Sequence, residues 1–191
     1  MYENMGDILK DGKCGDFEIS HFEVGNNDLY AILHGIPMGK FVRLTHKGQV
    51  VMSDTDMEKR TNAEFIQKAH GNILIGGLGI GMIILPIQGL EDVKKITVIE
   101  KYQEVIDLVV PQLPFNEKVQ VINADVFDFI PEEKYNTIYI DIWNWINEDI
   151  YREQMKPLMT KFRKYLVPKS EDSHRFIDCW CHQEAKKGLR I

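Results

Sequence analysis

The chain has 191 residues, 23 of them Lys or Arg and 29 Asp or Glu, for a formal net charge of −6. Hydrophobic residues make up 44%, enough for a buried core, and this length reads as one domain with at most a small appendage. The acidic balance points away from a nucleic-acid partner. The three cysteines, Cys14, Cys179 and Cys181, are too few and odd in number for a disulfide framework, so a reducing, cytoplasmic setting is expected.

The opening run MYENMGDILKDGKCGD lacks the basic start and apolar stretch of a signal peptide. Residues 17–24, FEISHFEV, alternate apolar and polar side chains, which predicts a half-buried strand. LYAILHG (29–35) follows as further β, and GKFVRLTHKGQVVMSD (39–54) predicts two strands joined at His46-Lys47-Gly48. Residues 1–56 are thus expected to form a small antiparallel meander. Thr61-Asn62-Ala63-Glu64 fits a capping box, with Thr61 as N-cap, Glu64 reaching back, and Phe65, Ile66 and Ala69 as the apolar face.

Over residues 57–191 strands and helices alternate. Strands are predicted at 72–75, 94–100, 118–123 and 135–141, and a helix at 102–110 that Pro111 stops. The apolar stretch 73–87 is broken by glycines and Pro86 and is too short to cross a bilayer, so no membrane partner is expected. A helical stretch from about 148 to 166 carries Tyr151, Met155, Leu158, Met159, Phe162, Tyr165 and Leu166 at helical spacing, and Pro157 must kink or restart it. RFIDCWC (175–181) reads as a last strand or a helix start. The alternation predicts an α/β fold: a Rossmann-like, mostly parallel sheet with right-handed crossovers, preceded by the N-terminal β-meander.

In such a sheet ligands bind beyond the carboxyl ends of the strands. Here four successive strands end in Gly77-Leu78-Gly79-Ile80-Gly81, in Glu100, just before Asp125, and in Asp141. Glycine lets a ligand approach the backbone with no Cβ in the way, although a plain tight turn would also use it. The dinucleotide spacing G-x-G-x-x-G asks for glycine at 82, where Met82 stands, and no Lys-Ser/Thr pair makes a P-loop. Glu100, about 20 residues past the glycines, suits two vicinal ribose hydroxyls, although a solvated strand-end acid would read the same. Asp125 stands where an adenine amino group could be met. Asp141 leaves an apolar strand and could orient or deprotonate a nucleophile, or serve as a structural acid. Trp143 and Trp145 flank Asn144 as an acceptor wall or as packing. Cys179-Trp180-Cys181-His182 has poor spacing for a tetrahedral metal, so none is expected. His21, His34, His46, His70 and His174 show no spacing that singles one out.

NILIGGLGIGM, ITVIEKYQEVIDL, VINADVFDFI and YNTIYIDIWNW resemble the successive motifs of class I S-adenosylmethionine-dependent methyltransferases. With KGQVVMSDTDMEKRTNAEFIQKA before the glycines, the chain is most similar to the spermidine-synthase-like branch. The resemblance implies S-adenosylmethionine as cofactor. Gly77, Gly79 and Gly81 would line its methionine moiety and ribose, and Glu100 would hold the ribose hydroxyls. Asp125, with Ala124 and Val126, would contact the adenine. Asp141 would be the catalytic residue facing the transferred group, with Trp143, Asn144 and Glu64 toward a small-molecule acceptor. Two features depart from aminopropyltransferases: Asn62-Ala63 stand in place of Tyr-Gln before Glu64, and Asp141 is followed by Ile142-Trp143 with no second aspartate and proline. A full class I core also has two more strands, so a truncated sheet is expected, or one that a second copy completes in a homo-oligomer. Methyl transfer, aminopropyl transfer and non-catalytic nucleoside binding or scaffolding remain as readings, and Met82 weighs against a nicotinamide dehydrogenase.

Overall fold

The computed structural model describes residues 2–26, 28–29, 31 and 37–189. Most of LYAILHG, His34 included, lies outside the described residues. β1 (Gly12–Cys14), β2 (Phe17–Val24), β3 (Gly39–His46) and β4 (Gln49–Ser53) form an antiparallel sheet in chain order. The β3–β4 turn has the two residues Lys47 and Gly48, at φ 52° and 80°. Two positive φ values make a type I′ turn, whose twist matches that of the strands it joins.

β5 (Gly71–Gly76), β6 (Val93–Glu100), β7 (Val119–Asn123), β8 (Thr137–Ile140) and β9 (Phe176–Cys179) form a second sheet, all pairs parallel, in the order β7-β6-β5-β8-β9. RFIDCWC therefore supplies a strand. The chain moves outward from β5 through β6 to β7, then crosses back to lay β8 on the other side of β5. The central strands are apolar almost throughout, because both faces are covered. One apolar cluster joins the two sheets, running from Met5, Phe17 and Leu44 to Leu78, Val105 and Tyr139.

Two helical expectations are modified. The helix before β5 starts a turn early, at Asp56, and runs to Thr61, with a second segment at Ala63–Lys68. Thr61 Oγ1 donates to the carbonyls of Met57 and Glu58 at 3.0 and 3.1 Å, so it closes a turn instead of opening one. Asp56 and Glu58 in the first turn and Lys59 and Arg60 in the last suit the helix dipole, which favours the earlier start. Later, Glu148–Ile150 passes into a π-helical turn, Tyr151–Met155, and then an α-helix, Lys156–Arg163. Pro157 has no N–H to donate backward and its ring crowds the preceding turn; the wider π turn takes up that misfit.

At the edge of the parallel sheet where β5, β8 and β9 begin, His70 Nδ1 meets the Lys68 carbonyl at 2.7 Å and Nε2 meets Asp172 Oδ2 at 2.8 Å. Both partners are acceptors, so the ring donates from both nitrogens as an imidazolium. Asp172 also accepts from Asn136 Nδ2 at 2.8 Å and from the His174 N–H at 2.9 Å. Burial opposes the charge on each partner. These bonds outweigh it, raising His70 and lowering Asp172 to about 2. A raised histidine stabilises the fold below its ordinary value and ceases to do so as pH rises through its folded one; the lowered aspartate stabilises above its ordinary value and ceases to do so as pH falls toward about 2. Asp172→Asn is therefore expected to lower the melting temperature more at about pH 5.5 than at about pH 9. Equal losses at both pH values would remove the ion pair from this account.

Candidate functional site

The carboxyl ends of β5 and β8 part where the strand order reverses, and a cavity of about 640 Å³ opens there. That size suits a small molecule. Its floor is the β5 and β6 strand ends, and one wall is the antiparallel sheet, through Phe17, Leu44, His46 and Met52. The Phe17 and His46 rings stack at 4.3 Å, with Tyr102 beside them at 4.9 Å from Phe17.

Three glycines serve three different needs. Gly77 has φ +98°, and a Cβ on it would stand 2.1 Å from the Asp141 carbonyl oxygen. Its N–H donates to the Ile99 carbonyl at 2.8 Å, while the Asp141 N–H donates to the Gly76 carbonyl at 2.7 Å. Gly79 has φ +52° and lines the cavity under Met52, whose Sδ would be 2.4 Å from a Cβ. Gly81, at φ +75°, is pressed against Leu113 and lies outside the cavity lining.

Glu100 is buried at the end of β6. Its Oε2 accepts from the Leu78 N–H at 3.0 Å and its Oε1 from the Tyr102 N–H at 2.9 Å, which ties the glycine loop to the next strand end. Burial pushes this carboxyl up, and those N–H groups pull it partly back. Asp125 accepts from Lys101 Nζ at 2.9 Å and from the Phe127 N–H at 2.9 Å. Burial works against its charge, but Lys101 and Phe127 prevail and hold it below the usual range. Val126 lines the cavity with it, whereas Ala124 does not.

Asp141 lies across the cavity floor. Its Oδ2 is buried and has no hydrogen-bond partner among the described residues. Burial drives its carboxyl up to about 7, with Asn62 opposing the shift. Trp143 is buried and donates from Nε1 to Gln154 Oε1 at 2.7 Å, which fixes its ring; Asn144 and the more exposed Trp145 complete that wall.

Glu64, expected on the acceptor side, is exposed and pairs with Lys68 outside the cavity. The acid that lines the cavity is Glu58, 8% exposed. Burial first, and then the charge of Asp141, raise it to about 8. Its helix is tied in by Asn62, whose Nδ2 donates to the Glu58 carbonyl at 3.0 Å and whose Oδ1 accepts from the Tyr139 hydroxyl at 2.9 Å. With the helix read from Asp56, Glu58 and Asn62 share a face with Phe65 and Ala69, and all four are buried. Two polar residues on an otherwise apolar face are the signal that would have singled out Glu58. Of the terminal cysteines, Cys179 is buried at the end of β9, and Cys181 begins the last helix at φ 49°. His182 pairs with Asp178.

No family model matches the chain, and no curated protein matches it. Among solved structures it is similar to the spermidine synthase from Thermotoga maritima, with a TM-score of 0.54 at 16% identity over 83% of this chain and 53% of that one. It is also similar to the N-methyltransferase NodS from Bradyrhizobium japonicum WM9 in complex with S-adenosyl-L-homocysteine, with a TM-score of 0.47 at 17% identity over 60% and 59%. A DhpI–SAM–HEP complex matches at a TM-score of 0.45 and 16% identity over 59% and 50%. The chain spans less than two-thirds of the length of each of these proteins. Its structural neighbours are class I S-adenosylmethionine-dependent methyltransferases and a spermidine synthase. At these identities the likeness is one of fold.

Gly77 and Gly79 are separated by substitution. Gly77→Ala puts a methyl group onto fixed backbone and is expected to cost at least about 2 kcal/mol of stability, read by urea unfolding. Gly79→Ala meets a flexible methionine, so the expected cost is about 1 kcal/mol. A Gly77→Ala protein as stable as wild type would contradict the close approach of Asp141.

Proposed function

We propose that the cavity binds S-adenosylmethionine and that the protein transfers its methyl group to a small-molecule acceptor. The observation that carries this reading is the convergence of Gly77, Gly79, Glu100, Asp125 and Asp141 on one cavity at the switch point of a Rossmann-like sheet. The residues fit the cofactor. Gly77 and Gly79 line the cavity with backbone that carries no side chain, and an orphaned carboxyl oxygen at Asp141 can face positive charge.

When bound, the cofactor supplies an electrophilic methyl group on a sulfonium. Gly77 and Gly79 leave backbone open beneath its methionine end. Glu100 has lone pairs beyond the two already used and takes the ribose hydroxyls. Asp125, held ionised by Lys101, accepts from the adenine amino group, with Val126 beneath the ring. Trp143, fixed by Gln154, and Asn144 align the acceptor, and alignment is most of what such a transfer requires. Asp141 orients the acceptor or takes its proton, a role that a carboxyl near 7 can fill at neutral pH.

A second reading is aminopropyl transfer from a related sulfonium. The likeness to spermidine synthase favours it, covering 83% of the chain and so reaching into the N-terminal sheet. Incubation with cofactors labelled separately on the methyl and the aminopropyl group decides between the two by which label enters a product.

Both S-adenosylmethionine and S-adenosylhomocysteine are expected to raise the melting temperature, and NAD is not. Glu100→Gln keeps one oxygen for the loop N–H groups but removes the charge, and is expected to weaken nucleoside binding at least about tenfold in calorimetry. Wild-type protein whose melting is unmoved by either sulfur nucleoside would defeat the cofactor assignment. Unchanged affinity in Glu100→Gln would defeat the ribose role alone.

A further inference from the structure

Of the acids that line the cavity, Glu100 is answered by two N–H groups, Asp125 by Lys101 and Asp149 by Arg152 at 3.2 Å, and Glu153 is exposed to solvent. Glu58 and Asp141 have only the Ser53 N–H and the Asn62 side chain, which offset part of the effect of burial and supply no charge. Neither has an ion-pair partner among the described residues, and Asp141 Oδ2 has no hydrogen-bond partner there. Both carboxyls line the one cavity from opposite connections, Glu58 on the helix entering the Rossmann-like unit and Asp141 at the end of β8, and the charge of Asp141 adds to the effect of burial on Glu58. Tyr2, Tyr139, Cys179 and Cys181 face the pair from the elements around it. Burial pushes Tyr2 and Cys181 up to about 12 and raises Tyr139 and Cys179 well above their ordinary values, so all four stay neutral at physiological pH and add no charge of their own. Lys59 and Arg60, on the same helix as Glu58, make no ion pair with either carboxyl.

Two enclosed carboxylates with no cation cannot both remain ionised. The values of about 8 for Glu58 and about 7 for Asp141 mean that the pair holds a proton at neutral pH. A fixed positive charge placed in the cavity would expel that proton, and a neutral occupant would leave it in place.

We propose that Glu58 and Asp141 together read the charge of the occupant: they release a proton to admit a sulfonium and keep it when the occupant is the neutral thioether. This rests on the cofactor reading above and adds a means of telling cofactor from spent product. The two nucleosides differ at the sulfur by one methyl group and one charge. Ionised, the pair holds the sulfonium; once the occupant is neutral that attraction is gone, and the product keeps only the contacts to its ribose and adenine.

The test is isothermal titration calorimetry of the whole chain with S-adenosylmethionine and with S-adenosylhomocysteine, at about pH 7 in buffers of different ionisation enthalpy. The dependence of the heat on buffer gives the protons released. More protons are expected for the sulfonium than for the thioether, with the excess lost in Glu58→Gln. The amino-acid ends of the two ligands titrate on their own account, and that part persists in the variant, so the change between wild type and variant is decisive. For wild type, sulfonium affinity is expected to rise between about pH 6 and pH 8, by up to about tenfold per unit for each proton linked, and to level off above the pair's range. Equal proton release for the two ligands, or an excess that survives in Glu58→Gln, overturns the proposal while leaving the cofactor reading intact. If Glu58→Gln does not fold, a wild-type sulfonium affinity that is flat with pH overturns it. Failure of both nucleosides to bind overturns the cofactor reading and this inference with it.

Discussion

The Asp141 carbonyl oxygen occupies the space that a side chain at position 77 would need. That contact follows from topology. β5 and β8 are neighbours only because the chain crosses back over β5 after building β6 and β7. Past their last shared bond, from the Asp141 N–H to the Gly76 carbonyl, the two chains must part in opposite directions. Glycine at 77 permits a turn at φ +98° while its own N–H is satisfied by Ile99. The opening between the parting chains is the cavity, and the first side chain past the fork on β8 is the carboxyl of Asp141. Backbone geometry by itself thus demands glycine at position 77.

The antiparallel sheet completes the cavity. Phe17, Leu44, His46 and Met52 close one side, and the chain runs from β4 directly into the helix that carries Glu58. Wall and acid are therefore set by one continuous segment, held to the parallel sheet by the shared apolar cluster and by Tyr139 through Asn62. The residues before β1 take part as well: Met5 and Leu9 are buried, and the Tyr2 hydroxyl donates to the Lys59 carbonyl at 2.9 Å. A disturbance of the N-terminal sheet would reach the acid pair through these ties.

The strand ends were legible in the sequence because period and punctuation agree there. An apolar run cut off by glycines, or ending in one acid, has few other readings, and Gly77, Glu100, Asp125 and Asp141 all follow from that pattern. Gly81 shows its limit, since a glycine spared a clash with Leu113 looks the same in a sequence as one spared for a ligand. Glu58 was hidden for a different reason. Flanked by Met57, Lys59 and Arg60, it has the local pattern of a solvated helix, and only the i, i+4, i+7 relation to Asn62 and Phe65 reveals the buried face. Thr61 and Glu64 imitate a capping box, which puts the N-cap six residues after the observed Thr55, and only likeness to the last residue of the family's Tyr-Gln-Glu run put Glu64 on the acceptor side. The His70–Asp172 pair joins residues far apart in the chain, and no spacing announces it.

The two edges of the parallel sheet treat a carboxylate in opposite ways. Where the strands begin, Asp172 is met by His70, Asn136 and the His174 N–H, and its carboxyl falls to about 2. Where they end, Asp141 Oδ2 is buried with no hydrogen-bond partner among the described residues and Glu58 is buried within its field, and the two carboxyls rise to about 7 and about 8. The first arrangement favours the folded chain above the acid range, until His70 loses its proton as pH rises. The second opposes it: acids raised above their unfolded values bind more protons in the native state, so their contribution to stability declines as pH rises through neutrality. An apolar pair at 58 and 141 would remove that penalty. Stability therefore does not account for two unanswered acids facing one cavity, whereas an occupant that brings its own positive charge does.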